Sequence, residues 1–353
     1  MVATFSPVCP LPPLESECIL LAHGGGGQLS AQLLERLILP LFHNPFLSPA
    51  HDGAYLPALV GPLAFSTDAH VVSPLFFPGG DLGTLALYGT INDLAMCGAR
   101  ARYLSLSLIL EEGLPLLHLE RILRHFAEAA RALGVMVVTG DTKVVERGRA
   151  EGLYLSVSGI GEVFLSPPPL PQRIQPGDRV MLSGDLGRHG VALMLARADL
   201  GLDLPLESDC APLLDPILAL HQAQVEVHCL RDITRGGLVA ILSELAEASN
   251  TQLLIHEQHL LISDEVQAAC ELLGLDPLSV ACEGRFVAVV PEAAVSSALH
   301  ALQQCSVSQQ AAVIGEVLPT SGVAGQPRLL LRTSLGTERR LERPLSDPLP
   351  RIC

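Results

Sequence analysis

The segment Ser166-Pro167-Pro168-Pro169-Leu170-Pro171 places four prolines in six residues near the middle of a 353-residue chain. Proline supplies no backbone donor and clashes with the preceding turn, so neither a helix nor an interior strand runs through it. The chain is therefore divided into two halves, each long enough to bury a core. Apolar residues make up 49% of the whole and recur in ordered patterns, so glycine and proline here mark turns within folded chain.

Before the boundary, Leu29, Leu33, Leu34, Leu37 and Ile38 fall on one helical face directly after the glycines at 24 to 27. Residues 63–72 read as a strand, and 81–99 as a helix opened by Pro78-Gly79-Gly80. In 103–110, Leu104, Leu106, Leu108 and Leu110 alternate with other residues, the period of a strand; 118–133 has helical spacing, and 135–139 and 153–163 supply further strands. After the boundary, strands are expected at 179–183, 286–290, 312–317 and 328–332, and helices at 190–198 and 237–249. The mixture is α/β and α+β. The expected organisation is a leading segment with the glycine loop and a helix (1–50), an N-terminal α/β domain (51–168), an α+β domain (169–335) and a flexible tail (336–353). The last ten residues hold three prolines and no periodicity, and ten extended residues span about 30 Å, so the tail has reach.

The net charge of −15 argues against a nucleic-acid or membrane-surface partner, which requires clusters of Lys and Arg. No apolar run is long enough for a membrane span, and residues 1–13 lack the pattern of a secretory signal. Nine cysteines, an odd number without metal-type spacing, point to reduced thiols in a cytoplasmic protein. Cys97, Cys270 and Cys282 have apolar neighbours and read as small core residues, whereas Cys353 at the end of the tail does not.

Three aspartates, Asp68, Asp93 and Asp141, stand beside apolar elements in what read as turns. Each alone is a cap as readily as a ligand; together they suit a hard cation with nucleotide phosphates. Gly24, Gly25, Gly26 and Gly27 are either a linker or a loop whose bare amides wrap phosphate at a helix start, and no Walker pattern closes them. Lys143, just after Asp141 and Thr142, is either a surface lysine or a cation for a transferred phosphoryl group. Asp232 and Thr234 precede a helix pattern and suit capping or ligand binding. Glu283 lies in an apolar segment, where burial would raise its pKa and the nearby Arg285 would lower it, tuning it as a base.

Several motifs in order, Ser66-Thr67-Asp68, Phe76-Phe77-Pro78-Gly79-Gly80-Asp81, Asn92-Asp93-Leu94-Ala95-Met96, Thr139-Gly140-Asp141-Thr142-Lys143, Arg231-Asp232-Ile233-Thr234-Arg235-Gly236-Gly237, Ala281-Cys282-Glu283-Gly284-Arg285 and Pro350-Arg351-Ile352-Cys353, resemble the HypE family of hydrogenase maturation factors. The aspartate motifs are shared with aminoimidazole ribonucleotide synthetase, selenophosphate synthetase and thiamine-monophosphate kinase; the Pro-Arg-Ile-Cys end is particular to the HypE family. The resemblance implies a two-domain PurM-like (AIR synthase-like) fold, with the N-terminal sheet pairing in a homodimer. It implies ATP and Mg²⁺ as cofactors, with the metal at Asp68, Asp93 and Asp141. Nucleotide contacts are implied for the four glycines, the same aspartates, Asn92, Thr142, Lys143 and Asp232. The implied activity is ATP-dependent dehydration of a thiocarbamate on Cys353 to a thiocyanate, with Glu283 as base and Lys143 assisting the phosphoryl transfer. The implied partners are a HypF-like carbamoyltransferase and an iron-carrying complex like HypC–HypD that accepts the nitrile. A small-molecule kinase or ligase of the superfamily and a non-catalytic scaffold are the competing readings.

Overall fold

The alternation at 103–110 is the middle of a 13-residue strand, Ala99–Glu111, that organises the first domain. The computed structural model describes residues 16–49, 51–197, 205–320, 328–343 and 352. In chain order the first half contains α1 (Gln28–Leu33), continued through a wide turn into α2 (Leu39–Leu41), then β1 (Leu63–His70), β2 (Phe76–Phe77), β3 (Gly80–Asp81), α3 (Leu82–Met96), β4 (Ala99–Glu111), α4 (Leu116–Ala132), β5 (Met136–Val145) and β6 (Leu153–Val163). The sheet order is β1-β6-β4-β5, with β4 and β5 parallel and the other pairs antiparallel.

Among the described residues, only one face of this sheet carries helices. Leu106, Leu108, Leu155 and Val157 are buried with Leu85 of α3 and Ile122 and Phe126 of α4. On the opposite face Phe65 is 67% exposed and Leu63 54%, so a sheet face with large apolar residues stands open. Asp81 starts α3 by accepting the N–H groups of Gly83 and Thr84 at 2.9 and 3.0 Å, which satisfies two of the donors a helix start leaves over.

The second half contains β7 (Arg179–Leu182), α5 (Arg188–Arg197), α6 (Leu214–Gln222), β8 (Cys229–Asp232), α7 (Gly237–Ser249), β9 (Gln252–His256), α8 (Asp264–Leu273), β10 (Phe286–Val290), α9 (Val295–Gln303), β11 (Ala312–Leu318), β12 (Arg328–Arg332) and β13 (Glu338–Leu341). Its sheet runs β13-β12-β9-β11-β7-β10-β8. One face packs on α7 through Val180, Val287 and Leu242, and the other on α6 and α9 through Met181, Ala288 and Ile217. Both faces being covered is why β10 is an unbroken buried apolar run. No helix among the described residues is long and apolar enough to cross a membrane.

Three expectations change. Asp68, Asp93 and Asp141 are not at turns: they lie inside β1, α3 and β5. Gly140 reads as a turn residue but serves close strand approach, since a Cβ there would meet the Leu106 carbonyl oxygen at 2.2 Å. Residues 338–341, assigned to the tail, form β13 antiparallel to β12, so the second domain continues past 335. Of the rest of the tail, Ile352 is described, and it is buried; Pro344 to Arg351 and Cys353 lie outside the described residues.

The α3–α4 crossing gives a direct test. A Cβ at Gly83 would meet the Ile122 carbonyl oxygen at 2.2 Å. Helix propensity favours alanine by at most about 1 kcal/mol, while forcing packed elements apart costs about 1–3 kcal/mol. Gly83→Ala is expected to lower stability, as a reduced denaturant midpoint at unchanged slope; an increased midpoint would refute the packing described.

Candidate active site

Alternation along β1 sends Ser66, Asp68 and His70 toward α3 and Phe65 and Thr67 to the open face. Ser66 Oγ donates to Asp93 Oδ2 at 2.6 Å, tying the strand to α3 beside Asp68. The edge strand β8 of the second domain packs against α3 and ends at Asp232, which is buried. Like charges are thereby crowded at the domain junction. Burial, then the Asp93 charge, pushes the Asp68 carboxyl up to about 6, with Arg235 opposing. Burial, Asp93 and Asp68 hold the Asp232 carboxyl up at about 7 against the pull of Arg231. His70 is buried and lowered to about 4, by burial and then by Arg235, so its imidazole is neutral. Neither of its ring nitrogens has a hydrogen-bond partner among the described residues.

Glu283 reaches the junction from the loop before β10. Its backbone N–H and that of Gly284 donate to the buried Asp209 carboxylate, each at 3.3 Å. Gly284 is required there, because a Cβ would overlap the Asp209 carbonyl oxygen at 1.9 Å. Glu283 Oε1 is buried with no partner among the described residues. Burial and then the charges of Asp232, Asp209, Asp68 and Asp93 raise its pKa well above the carboxylate range. The lowering expected from Arg285 is absent: that guanidinium is turned to Asp185, at 2.6 and 3.0 Å.

Asn92 does something other than expected. Its amide nitrogen donates to the carbonyls of Ala211 at 3.0 Å and Glu283 at 3.4 Å, and its oxygen accepts the Leu213 N–H at 2.8 Å. With the side chain buried and both ends used by backbone of the second domain, it braces the junction and has nothing left for a nucleotide. Neither Asp232 nor Thr234 caps α7, whose N-cap is Gly236 in the left-handed region at φ 79°. Cys97, read as a core residue, is exposed at the edge of a cavity of about 670 Å³ that Asp93, Asp232, Arg231 and Phe65 also line.

The glycine loop lies elsewhere. Gly24 packs on β5, where a Cβ would meet the Val144 nitrogen at 2.8 Å. Gly26 adopts φ 74° and donates its N–H to Ser30 Oγ at 2.9 Å, and Gly27 is the N-cap of α1. Gly24, Gly26, Asp141, Thr142 and Lys143 share a cavity of about 320 Å³ with Leu33, Leu106 and Leu108. Lys143 Nζ bridges both Asp141 oxygens at 2.8 and 2.7 Å, and this bond holds the Asp141 carboxyl below its ordinary range.

Register separates the two groups. Asp68 lies in a cross-strand row with Val157, Leu106 and Gly140, while Asp141 lies in the row of Ser107, Ser156 and Ala69. Adjacent rows point to opposite faces, so Asp68 faces α3 and Asp141 the open side. They also occupy opposite edge strands, about 14 Å apart at three strand spacings. Within one protomer Asp141 therefore does not join Asp68 and Asp93, and no group of three or more potential metal ligands assembles among the described residues.

The end of the chain enters the interior. The Ile352 carbonyl oxygen accepts from His189 Nε2 at 2.7 Å, with Ile352 1% and His189 0% exposed. The next residue of α5 donates its own N–H to Ala281 at 3.1 Å, so Ile352 docks beside the loop that carries Glu283. His70, Asp209 and His189 escaped the sequence reading as site residues. Strand parity places His70 with Asp68; nothing local marks the others.

Two family models match, AIR synthase related protein N-terminal domain at residues 51–163 and AIR synthase related protein C-terminal domain at 175–326, on either side of the proline segment. The chain is 42% identical to the carbamoyl dehydratase HypE of Azotobacter vinelandii, over 96% of this chain and 98% of that one. It is 43% identical to the carbamoyl dehydratase HypE of Escherichia coli K12, over 95% and 99%. The chain belongs to the HypE family of carbamoyl dehydratases. A crystal structure of a HypE protein in complex with ATP superposes with a TM-score of 0.90 at 42% identity, covering 95% of this chain and 99% of that one. The HypE chain of a HypE–HypF complex gives 0.76 at 38% identity, covering 88% and 99%. A thiamine-monophosphate kinase-type structure with AMPPCP and TMP gives 0.58 at 20% identity, covering 89% and 94%, a likeness of fold.

The buried acids make a signed prediction. Asp232 ionises at about 7 in the fold against 3.8 ordinarily, so its contribution to stability is fully present below about pH 4 and is lost as pH rises to about 7. Asp232→Asn is expected to raise the thermal midpoint of the ligand-free protein at pH 8, by about 2–4 °C for each kcal/mol relieved, and the gain should shrink toward pH 4. A difference independent of pH in scanning fluorimetry would rule the crowding out.

Proposed function

We propose that this chain converts a carbamoyl group carried as a thiocarbamate on Cys353 into a thiocyanate at the expense of ATP, and that the product supplies a cyanide ligand to iron during [NiFe]-hydrogenase maturation. The observation that carries the reading is the docking of Ile352 beside the Glu283 loop. The following Cα lies about 3.8 Å further along the chain, so the reacting sulfur is delivered from within the molecule rather than by diffusion. The carbamoyl donor is a carbamoyltransferase resembling the HypF found in complex with a HypE, and the nitrile acceptor is an iron-carrying complex of the HypC–HypD kind. With these proposed partners, the compartment proposed for the protein is the cytoplasm.

The thiocarbamate oxygen is a poor leaving group. Its attack on the γ-phosphorus of ATP forms the C–O–P linkage, releases ADP and, with loss of one N–H proton, gives a phosphorylated imidate. Removal of the second N–H proton then forms the C≡N bond as the C–O bond breaks and inorganic phosphate departs, so one water is lost overall and sulfur stays bonded throughout. Glu283 is the proposed base. Neutralising its crowded neighbours would lower its raised pKa and leave it ionised to accept a proton, while burial keeps it more basic than an exposed carboxylate. Lys143 and the amides of Gly24, Gly25, Gly26 and Gly27 are proposed to hold phosphate oxygens, with Asp141 and Thr142 orienting the lysine.

The donor set fits magnesium. Asp68, Asp93 and Asp232 offer carboxylate oxygen alone, Mg²⁺ is commonly held by one or two carboxylates plus phosphates and water, and a divalent charge would relieve the repulsion that raises these pKa values. Asp68 and Asp93 are the proposed ligands, and bound there the ion would neutralise charge on transferring phosphate. Asp141, on the other face and edge of the sheet, is proposed to serve through a second copy. Covering the open face of Leu63 and Phe65 with the same face of a partner removes exposed apolar surface and brings the Lys143 group of one protomer toward the acids of the other.

Two measurements test this. After incubation with a carbamoyltransferase, carbamoyl phosphate and ATP-Mg²⁺, the C-terminal peptide should gain a carbamoyl mass and then lose one water. Cys353→Ala should show neither, and Glu283→Gln should stop after the first step, with dehydration at least about 100-fold slower. An unmodified tail beside an active carbamoyltransferase would favour a small-molecule kinase or ligase instead. Separately, Phe65→Asp is expected to shift the protein from dimer to monomer in light scattering; a wild-type monomer at micromolar concentration would exclude the paired sheet.

A further inference from the structure

Strand β1 and helix α3 lie against each other so that three side chains of the strand meet one side of the helix. Ser66 bonds to Asp93 at 2.6 Å. His70, two same-face steps further along the strand, reaches Gly89, about one turn earlier in the helix. Asp68 stands between them. A Cβ at Gly89 would meet His70 Cε1 at 2.9 Å, so the glycine makes room for the ring. His70 Nε2 and Asp68 Oδ2 lie 3.6 and 3.9 Å from that same point, and the imidazole and the carboxylate thus flank one small space.

His70 is 4% exposed, and neither ring nitrogen has a partner among the described residues. An imidazole left unbonded in a dry interior is costly, and a leucine would fill the position without that cost. No direct bond joins Nε2 to Asp68, so a third group belongs between them. Mg²⁺ is commonly held by one or two carboxylates and keeps several of its waters, and those waters are oriented by groups around the site. A water on a divalent ion is a strengthened donor, and a neutral imidazole has one nitrogen free to accept from it. Two metal–oxygen bonds of about 2.1 Å and one hydrogen bond of about 2.9 Å, bent at the ion and at the water, suit a gap whose two sides both stand within 4 Å of the Gly89 Cβ position. On the other side of Asp68, Ser66 orients Asp93 by donating to it, so His70 would do for a water what Ser66 does for a carboxylate.

We propose that His70 is a positioning residue of the cation site, its Nε2 accepting a hydrogen bond from a water molecule on the ion held by Asp68 and Asp93. The inference rests on the cation proposed above for those two aspartates. Acting through water, the imidazole is not itself a ligand, in keeping with the lack of a three-ligand group among the described residues.

The test uses the full chain and Mn²⁺ as the probe, with the free ion counted by electron paramagnetic resonance, first alone and then with a non-hydrolysable ATP analogue, so no turnover is needed. His70→Leu removes both nitrogens, His70→Phe is a second apolar variant, His70→Gln keeps a donor and an acceptor, and Asp68→Asn is the reference for the site; each is first checked for a cooperative melt. The apolar variants are expected to bind Mn²⁺ about tenfold more weakly. Their denaturant midpoint without metal should rise, because an unbonded polar group has left the interior. His70→Gln should recover part of the affinity. Affinity down with stability up is the signature of positioning; a merely structural role would lower both. Pulsed resonance of the Mn²⁺-loaded protein should show a weakly coupled nitrogen that the apolar variants lose, and the strong coupling of a directly bound imidazole would overturn the intervening water. Unchanged affinity in a folded apolar variant, beside a weakened Asp68→Asn, would overturn the role of His70 and leave the cation site standing. Unchanged affinity in Asp68→Asn would reject the cation site itself, and the inference with it.

Discussion

The arrangement depends on one joint, helix α3 gripped between its own sheet and the neighbouring domain. On one side Ser66 of β1 fastens to Asp93; on the other Asn92 fastens to Ala211, Leu213 and Glu283. Adjacent residues of one helix thus fix the two domains relative to each other, and all of the crowded carboxylates hang from elements that meet there. Because the brace consists of a buried amide with both ends satisfied, it is costly to open: each backbone group released would be left without a partner in a dry interior.

Such a joint concentrates negative charge that the fold alone does not neutralise. Asp68, Asp232 and Glu283 are all raised, and in each case burial is the first cause and neighbouring acids follow. Arg285, the cation nearest to Glu283 in sequence, is spent on Asp185 and Asp209 instead. Crowding of this kind supports the proposed binding of a cation here, because a cation gains binding energy where it relieves repulsion.

Much of this was legible in the sequence, and the failures have physical reasons. Strands at 153–163, 286–290 and 328–332 and the helix at 237–249 coincide with their patterns, because periodicity records which face is buried. The continuation of β5 through Gly140 was hidden because glycine signals a turn, while here it marks two strands in close approach. Strands β8 and β9 were missed: four and five residues long and largely buried on both faces, they show no alternation. The acids Asp68, Asp93, Asp232 and Glu283, which the structure crowds together at the domain junction, were conspicuous in the sequence as acids in apolar surroundings. Their grouping was not, because whether Asp141 joins Asp68 depends on strand order and parity, which are properties of the sheet. His189 had no local signal, since its partner Ile352 lies 163 residues away along the chain.

Strand β8 is the outermost strand of the second sheet, and an outermost strand has free donors and acceptors along one side that invite pairing with other chains. Here helix α3 of the first domain packs against it. The contact that builds the acidic junction is at the same time the cover over a sticky margin. A wide hinge motion between domains would uncover that margin and draw the acids of the junction apart. Solubility and reaction then make the same demand of the interface, that it stay shut.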